Sequence, residues 1–254
     1  RVTVLGGSMT AGGNIDGIGK PGDKTSAWWK QLEELLTMYY GRPVPLELQA
    51  RGATSLAWAT QHIGEMVPAH TELLLVDYLQ NDVRPAMADL LDDGAAGDEK
   101  FSLTAEAFVL ALEAVFKARG RPSPAVIWFQ SLPAIGFLYN ATGSAFRPVW
   151  AQPDKARSLR RALHGHSAVY ENIARHYDQT AISLHRVIWP TPASGEPEHA
   201  LREWSNCCGP TGLIHVDHHP SWLAHKLCAD VVFHAWQRIE QAVLGHSHAA
   251  AAAL

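Results

Sequence analysis

Short apolar runs that stop abruptly at small or polar residues recur along this chain, and their alternation with helical stripes restricts the fold more than any other feature. Val2, Val4 and Leu5 form the first run, cut off at Gly6-Gly7-Ser8. Leu46 and Leu48 alternate with Glu47 and Gln49 up to Arg51-Gly52, and Leu73 to Tyr78 (LLLVDY) ends at Gln80-Asn81-Asp82. Ala125 to Phe129 ends in Ser131 and Pro133, and Ala181 to Ile188 makes a fifth run. Their length and β-branched, apolar content are those of strands. Between them lie helical patterns. Trp28, Trp29, Leu32, Leu35, Leu36 and Tyr39 form one stripe, with Asp23 or Thr25 as cap and Gly41 and Pro43 as its close. A shorter helix is expected over Leu56 to Met66. Phe108, Ala111, Leu112, Val115 and Phe116 share one face before Gly120, and a basic helix is expected over 156–176. The last helix opens at Pro220-Ser221 and carries Leu223, Leu227, Val231, Ala235, Ile239 and Val243. Five strands alternating with helices predict an α/β fold, a parallel sheet covered on both faces.

No Pro/Ser linker or internal repeat divides the 254 residues, so a single domain over 1–245 is expected, with a frayed Ala-rich tail over 246–254. Residues 84–101 read as an acidic surface excursion, and 134–154 as a long loop of the kind that tends to be functional. A net charge of −4 gives no reason to expect nucleic acid or an anionic membrane as partner. No apolar run reaches the length of a membrane span, so no transmembrane segment is expected. The three cysteines, Cys207, Cys208 and Cys228, imply no disulfide framework. Asn140-Ala141-Thr142 is a glycosylation sequon that matters only in a secreted protein, and the sequence leaves the compartment open.

In a parallel sheet every strand delivers its carboxyl end to one rim, where open α/β sheets bind ligands. The tips here read Gly7-Ser8, Arg51-Gly52 and Gln80-Asn81-Asp82, and His215-Val216-Asp217-His218-His219-Pro220 approaches just before the final helix. Serine, glycine, asparagine and histidine on one rim are the parts of an acyl-transfer site. Ser8 would attack a carbonyl while a histidine takes its proton. The N–H groups of Ser8 and Gly52 and the Asn81 amide would face the developing oxyanion, such donors being worth about 10²–10³-fold each.

This set, in this order, resembles the SGNH (GDSL-like) hydrolase family, over essentially the whole chain: GGSMTAG, ARGATS, LQND and DHHPSWLAH. Gly52 matches the second-block glycine, Asn81-Asp82 the third-block pair and His219-Pro220 the His-Pro that starts the last helix. Gly7 stands where the family commonly has Asp, and Leu79 where it has glycine. The resemblance implies a three-layer α/β/α sandwich with a mostly parallel five-stranded, flavodoxin-like sheet. It also implies an ester substrate of small acyl, lipid or acylated-sugar type, and no cofactor. The family's acid lies three residues before the histidine. Here Val216 holds that position and Asp217 lies two before His219, so either Asp217 or a backbone carbonyl from 214–217 orients the imidazole.

Other readings compete residue by residue. Asn81 alone can cap a turn, Gly52 can be a helix-entry residue, and Asp82 in the family is structural. Arg51 can bind an anionic substrate group or merely face solvent; Trp28, Tyr39 and Trp58 are expected in the core. His215, His218, His219 and His225 with Asp217 invite a metal, but no Cys or Glu cluster flanks them, and His219 and His225 lie six apart across a helix start. No metal is therefore expected. GGSMTAGG lacks the lysine and glycine spacing of nucleotide loops. A catalytically degenerate carbohydrate-binding relative, or an O-acyltransferase acting on a sugar hydroxyl, remains the alternative to a hydrolase.

Overall fold

Val4, Leu5, Leu74, Leu75 and Val76 are shut off from solvent almost completely, as strands packed on both faces require. The computed structural model describes residues 1–12, 27–52, 54–78, 82, 96–131, 137–138, 147–148, 165, 167–188 and 222–252. In chain order its elements are β1 (Val2–Gly6), α1 (Trp28–Tyr40), β2 (Leu46–Ala50), α2 (Leu56–Gln61), α3 (Ile63–Met66) and β3 (Leu73–Asp77). Then come α4 (Ala96–Ala118), β4 (Ala125–Gln130), β5 (Phe137–Leu138) and β6 (Arg147–Pro148). A helix α5 (167–176) precedes β7 (Thr180–Ser183), α6 (Leu184–Ile188) and α7 (Trp222–Ala252).

The main sheet has five strands in the order β2-β1-β3-β4-β7, every pair parallel. From β1 the chain steps outward to β2, then returns past β1 to β3. Right-handed crossovers in opposite directions put their helices on opposite faces. Accordingly α1 packs against α7, while α2 and α3 pack against α4. The result is a five-stranded parallel sheet with helices on both sides. The reversal between β1 and β3 is a topological switch point, and it opens a crevice outside the strands' carboxyl ends.

Apolar side chains fill both layers. Trp28, Leu32 and Leu36, one helical turn apart, bury the inner face of α1, and Gly41 ends that helix in the left-handed region at φ 62°. Trp28 meets Phe129 at 5.0 Å between ring centroids, and Trp128 meets Phe108 at 5.5 Å and Tyr170 at 5.0 Å. Each such aromatic contributes about 2–3 kcal/mol by leaving water. None of the described helices is long and apolar enough to cross a membrane.

Several elements differ from the sequence expectation. The fifth run is a strand only to Ser183, because its partner β4 ends at Gln130, which pairs with Ser183. The Ser183 hydroxyl then accepts the Arg186 N–H at 3.4 Å and starts α6, overriding the strand preference of Val187 and Ile188. The helix expected over Leu56 to Met66 breaks at His62 (φ −111°, ψ 14°). Helix α4 starts at Ala96, inside the expected acidic excursion, and the long loop contains the short antiparallel pair β5–β6. Tyr39 is exposed rather than core; its ring edges meet Tyr40 and Phe233.

Candidate active site

The tip of β1 folds back on itself so tightly that it needs a glycine. A Cβ on Gly6 would lie 2.0 Å from Thr10 Oγ1 and 2.4 Å from Thr10 Cβ. The turn closes through the Ala11 N–H to Gly7 O (2.9 Å) and the Gly12 N–H to Met9 O (3.0 Å), with Gly12 at φ 72°. Ser8 stands at the start of this turn, half-buried between the buried Gly7 and Met9.

Strand β2 brings the second component. Past its last residue the Arg51 N–H still donates to Gly6 O at 3.0 Å, so the two strand tips stay in step. This register carries Gly52 to Ser8. A Cβ built on Gly52 would be in van der Waals contact with Ser8 Cβ, at 3.7 Å. The Thr54 hydroxyl donates to Arg51 O at 2.6 Å and closes the segment. Arg51 itself is exposed, its guanidinium 5.4 Å from the ring centre of the half-buried Trp58, which stacks on His62 at 4.2 Å.

Strand β3 contributes two carboxylates with different partners. Asp77, its last residue, is 4% exposed and in register with Gly6. It accepts the Thr10 hydroxyl on Oδ2 at 2.8 Å and the Ser131 hydroxyl on Oδ1 at 2.5 Å. Burial pushes its carboxyl up to about 6, against the pull of those hydrogen bonds. Asp82 accepts the Leu56 N–H on Oδ1 at 3.0 Å and the Tyr170 hydroxyl on Oδ2 at 2.9 Å. Desolvation pushes it up to about 7, again opposed by its donors. Asp82 thus ties the segment after β3 to the start of α2, four residues beyond Gly52, in keeping with the structural role expected for it.

Of the residues singled out in the sequence, Ser8 and Gly52 come together at the crevice. Asn81, Asp217 and His219 lie outside the described residues, as do Asn140, His215, His218, Cys207 and Cys208. His225, from the same histidine-rich stretch, is buried and its Nδ1 accepts the Trp28 N–H at 3.2 Å. It satisfies an orphan donor at the start of α1. Asp77, Thr10 and Ser131 were not singled out as site residues. The available signal was an acid inside the apolar run LLLVDY, because a carboxylate in a strand buried on both faces must find donors.

No family model and no curated protein matches this chain. Solved structures do. A lipase from a goat rumen metagenome superposes with a TM-score of 0.58 over 91% of this chain and 94% of its own, at 14% identity. An acetyl xylan esterase variant from Geobacillus stearothermophilus gives 0.54 over 92% of each chain, also at 14% identity. A lipase/acylhydrolase from Enterococcus faecalis gives 0.53 over 92% of this chain and 94% of its own, at 14% identity. The likeness is one of fold. It spans nearly the whole of each chain, so the α/β sandwich described above is the shared architecture.

Proposed function

We propose that this protein is a serine ester hydrolase of SGNH (GDSL-like) type. Ser8 Oγ attacks the ester carbonyl while His219 takes its proton. The backbone N–H groups of Ser8 and Gly52 and the side-chain amide of Asn81 hold the oxyanion. Collapse of the tetrahedral intermediate expels the alcohol, which receives the proton from His219. Water, deprotonated by the same imidazole, then attacks the acyl-serine, and Ser8 Oγ takes that proton back as the acid leaves. Asp217 or a backbone carbonyl orients the ring.

The observation that carries this reading is the approach of Gly52 to Ser8 at the switch point of the sheet, with a candidate oxyanion donor beside a glycine-flanked serine. The fold shared with esterases and lipases adds support. Acetyl, longer-acyl and acetylated-sugar esters are the substrate classes to compare.

A fluorophosphonate probe tests the reading. Labelling of the wild-type chain at Ser8, with loss of both labelling and ester hydrolysis in Ser8→Ala at an unchanged melting temperature, is the expected result. Wild-type turnover in Ser8→Ala would overturn it, and absence of labelling together with sugar binding would identify a carbohydrate-binding relative. Product analysis with a sugar acceptor separates hydrolysis from O-acyl transfer.

A further inference from the structure

We propose that Asp77 is a positioning residue for Ser8, its carboxylate bridging Thr10 of the serine's turn to Ser131 at the end of β4. The proposal rests on Ser8 being the nucleophile and adds a residue outside the four sequence blocks. Two hydrogen bonds inside the turn, Ala11 to Gly7 and Gly12 to Met9, fix its internal shape. They do not fix how the turn sits over the strand tips, and Gly6 has no side chain to hold it. Among the described residues, the turn's side chains reach the neighbouring strands through the Thr10–Asp77 bond and through Met9, whose sulfur lies 3.9 Å from Ser131 Oγ. Both contacts meet at one point, because Ser131 also donates to Asp77. An ionised carboxylate is an acceptor at both oxygens, so it can receive one hydroxyl from each side and lock two elements to β3.

Keeping a charge here works against stability. Burial raises the Asp77 carboxyl to about 6, and Tyr78, Tyr170 and the Cys228 thiol of α7 lie within range of its charge. Each of those groups is itself shifted upward, chiefly by burial. A carboxyl serving only to fill space would be replaced to advantage by a neutral group of the same shape. One that holds a nucleophile would not. Removing the charge is therefore expected to lower turnover without lowering stability, whereas a carboxyl with no hold on Ser8 would leave turnover unchanged.

The test uses the full chain and the ester that the wild type cleaves best. Asp77→Asn is expected to lower kcat and the rate of phosphonate labelling by about tenfold or more, with KM within about twofold, since a misaligned nucleophile weakens the transition state and not substrate binding. At pH 8 its melting temperature is expected to equal or exceed that of the wild type. Thr10→Val, which removes the hydroxyl at nearly constant volume, is expected to reproduce the loss in kcat, and Thr10→Ser to restore it. Wild-type kcat in both Asp77→Asn and Thr10→Val would overturn the proposal, as would activity that falls only in step with melting temperature. A wild-type chain that neither labels at Ser8 nor cleaves any ester would fail earlier, at the nucleophile assignment, and would remove the basis of the proposal with it.

Discussion

Gly52 approaches Ser8 so closely that a methyl group added to the glycine would touch the serine's Cβ at 3.7 Å. That distance is ordinary van der Waals contact, so the fold has room for the methyl, and on the proposed mechanism the methyl would stand between the nucleophile and an oxyanion donor. Gly52→Ala is expected to melt within a few degrees of the wild type. Its kcat/KM is expected to fall by about 10²-fold, the scale of an ångström's displacement at a reacting centre. Unchanged kinetics would mean that substrate does not enter between these two residues.

Gly6 offers the opposite case, in which the space is absent altogether. Its added Cβ would fall 2.4 Å from Thr10 Cβ, which cannot swing aside without moving the backbone. Gly6→Ala is expected to destabilise the chain by about 1–3 kcal/mol, the usual cost of overpacking, and to abolish ester hydrolysis as the Ser8 turn shifts. Thermal melts of Gly6→Ala in the wild-type and in the Thr10→Gly background check this, the added cost of Gly6→Ala shrinking once the Thr10 side chain is gone.

Asp82 gives stability a pH dependence whose sign is fixed by the direction of its shift. Its carboxyl is raised from an ordinary value of 3.8 to about 7. The folded state therefore holds a proton that the unfolded chain releases, and the associated stability is full below about 4 and lost as pH rises to about 7. Asp82→Asn keeps the acceptor for the Leu56 N–H and removes the titration. The variant is expected to gain on the wild type by on the order of 4 kcal/mol between pH 4 and pH 8. Denaturant unfolding at several pH values measures the difference, and parallel curves for the two proteins would contradict the expectation.

The group orienting His219 is open to a direct kinetic test. If Asp217 orients the ring, Asp217→Asn fixes the wrong tautomer and lowers kcat by about 10⁴-fold, as in other triads. If a backbone carbonyl does so, the same substitution leaves kcat within a few-fold. His219→Ala is expected to abolish turnover either way. Full activity in that variant would transfer the base to another residue.

Much of this architecture is legible without coordinates, because strand tips are marked by composition. Runs such as VTVL and LLLV carry β-branched or apolar residues at successive positions, the composition of a covered parallel strand, and glycine, serine and asparagine cluster where the chain leaves the sheet. The alternation of such runs with helical stripes dictates the layers, and the order of the tips dictates which residues share a rim.

Pattern alone could not decide where pairing stops. The strand-like sequence Ala181 to Ile188 becomes helix after Ser183 because β4 offers no further partner, a fact held by another element. Nor could it show that Trp58 lies under Arg51, or that His225 accepts the Trp28 N–H at the start of α1.

The sequence by itself determined a parallel α/β sheet and the residues at the tips of its strands, since local composition and period are enough to specify both. Only the tertiary structure decided that Gly52 lies against Ser8 and that Asp77 joins Thr10 to Ser131. Thr10 and Asp77 are 67 residues apart, and Asp77 and Ser131 are 54 apart. No local propensity encodes such a meeting; it arises from the register of three neighbouring strands and from the requirement that a buried carboxylate be given donors.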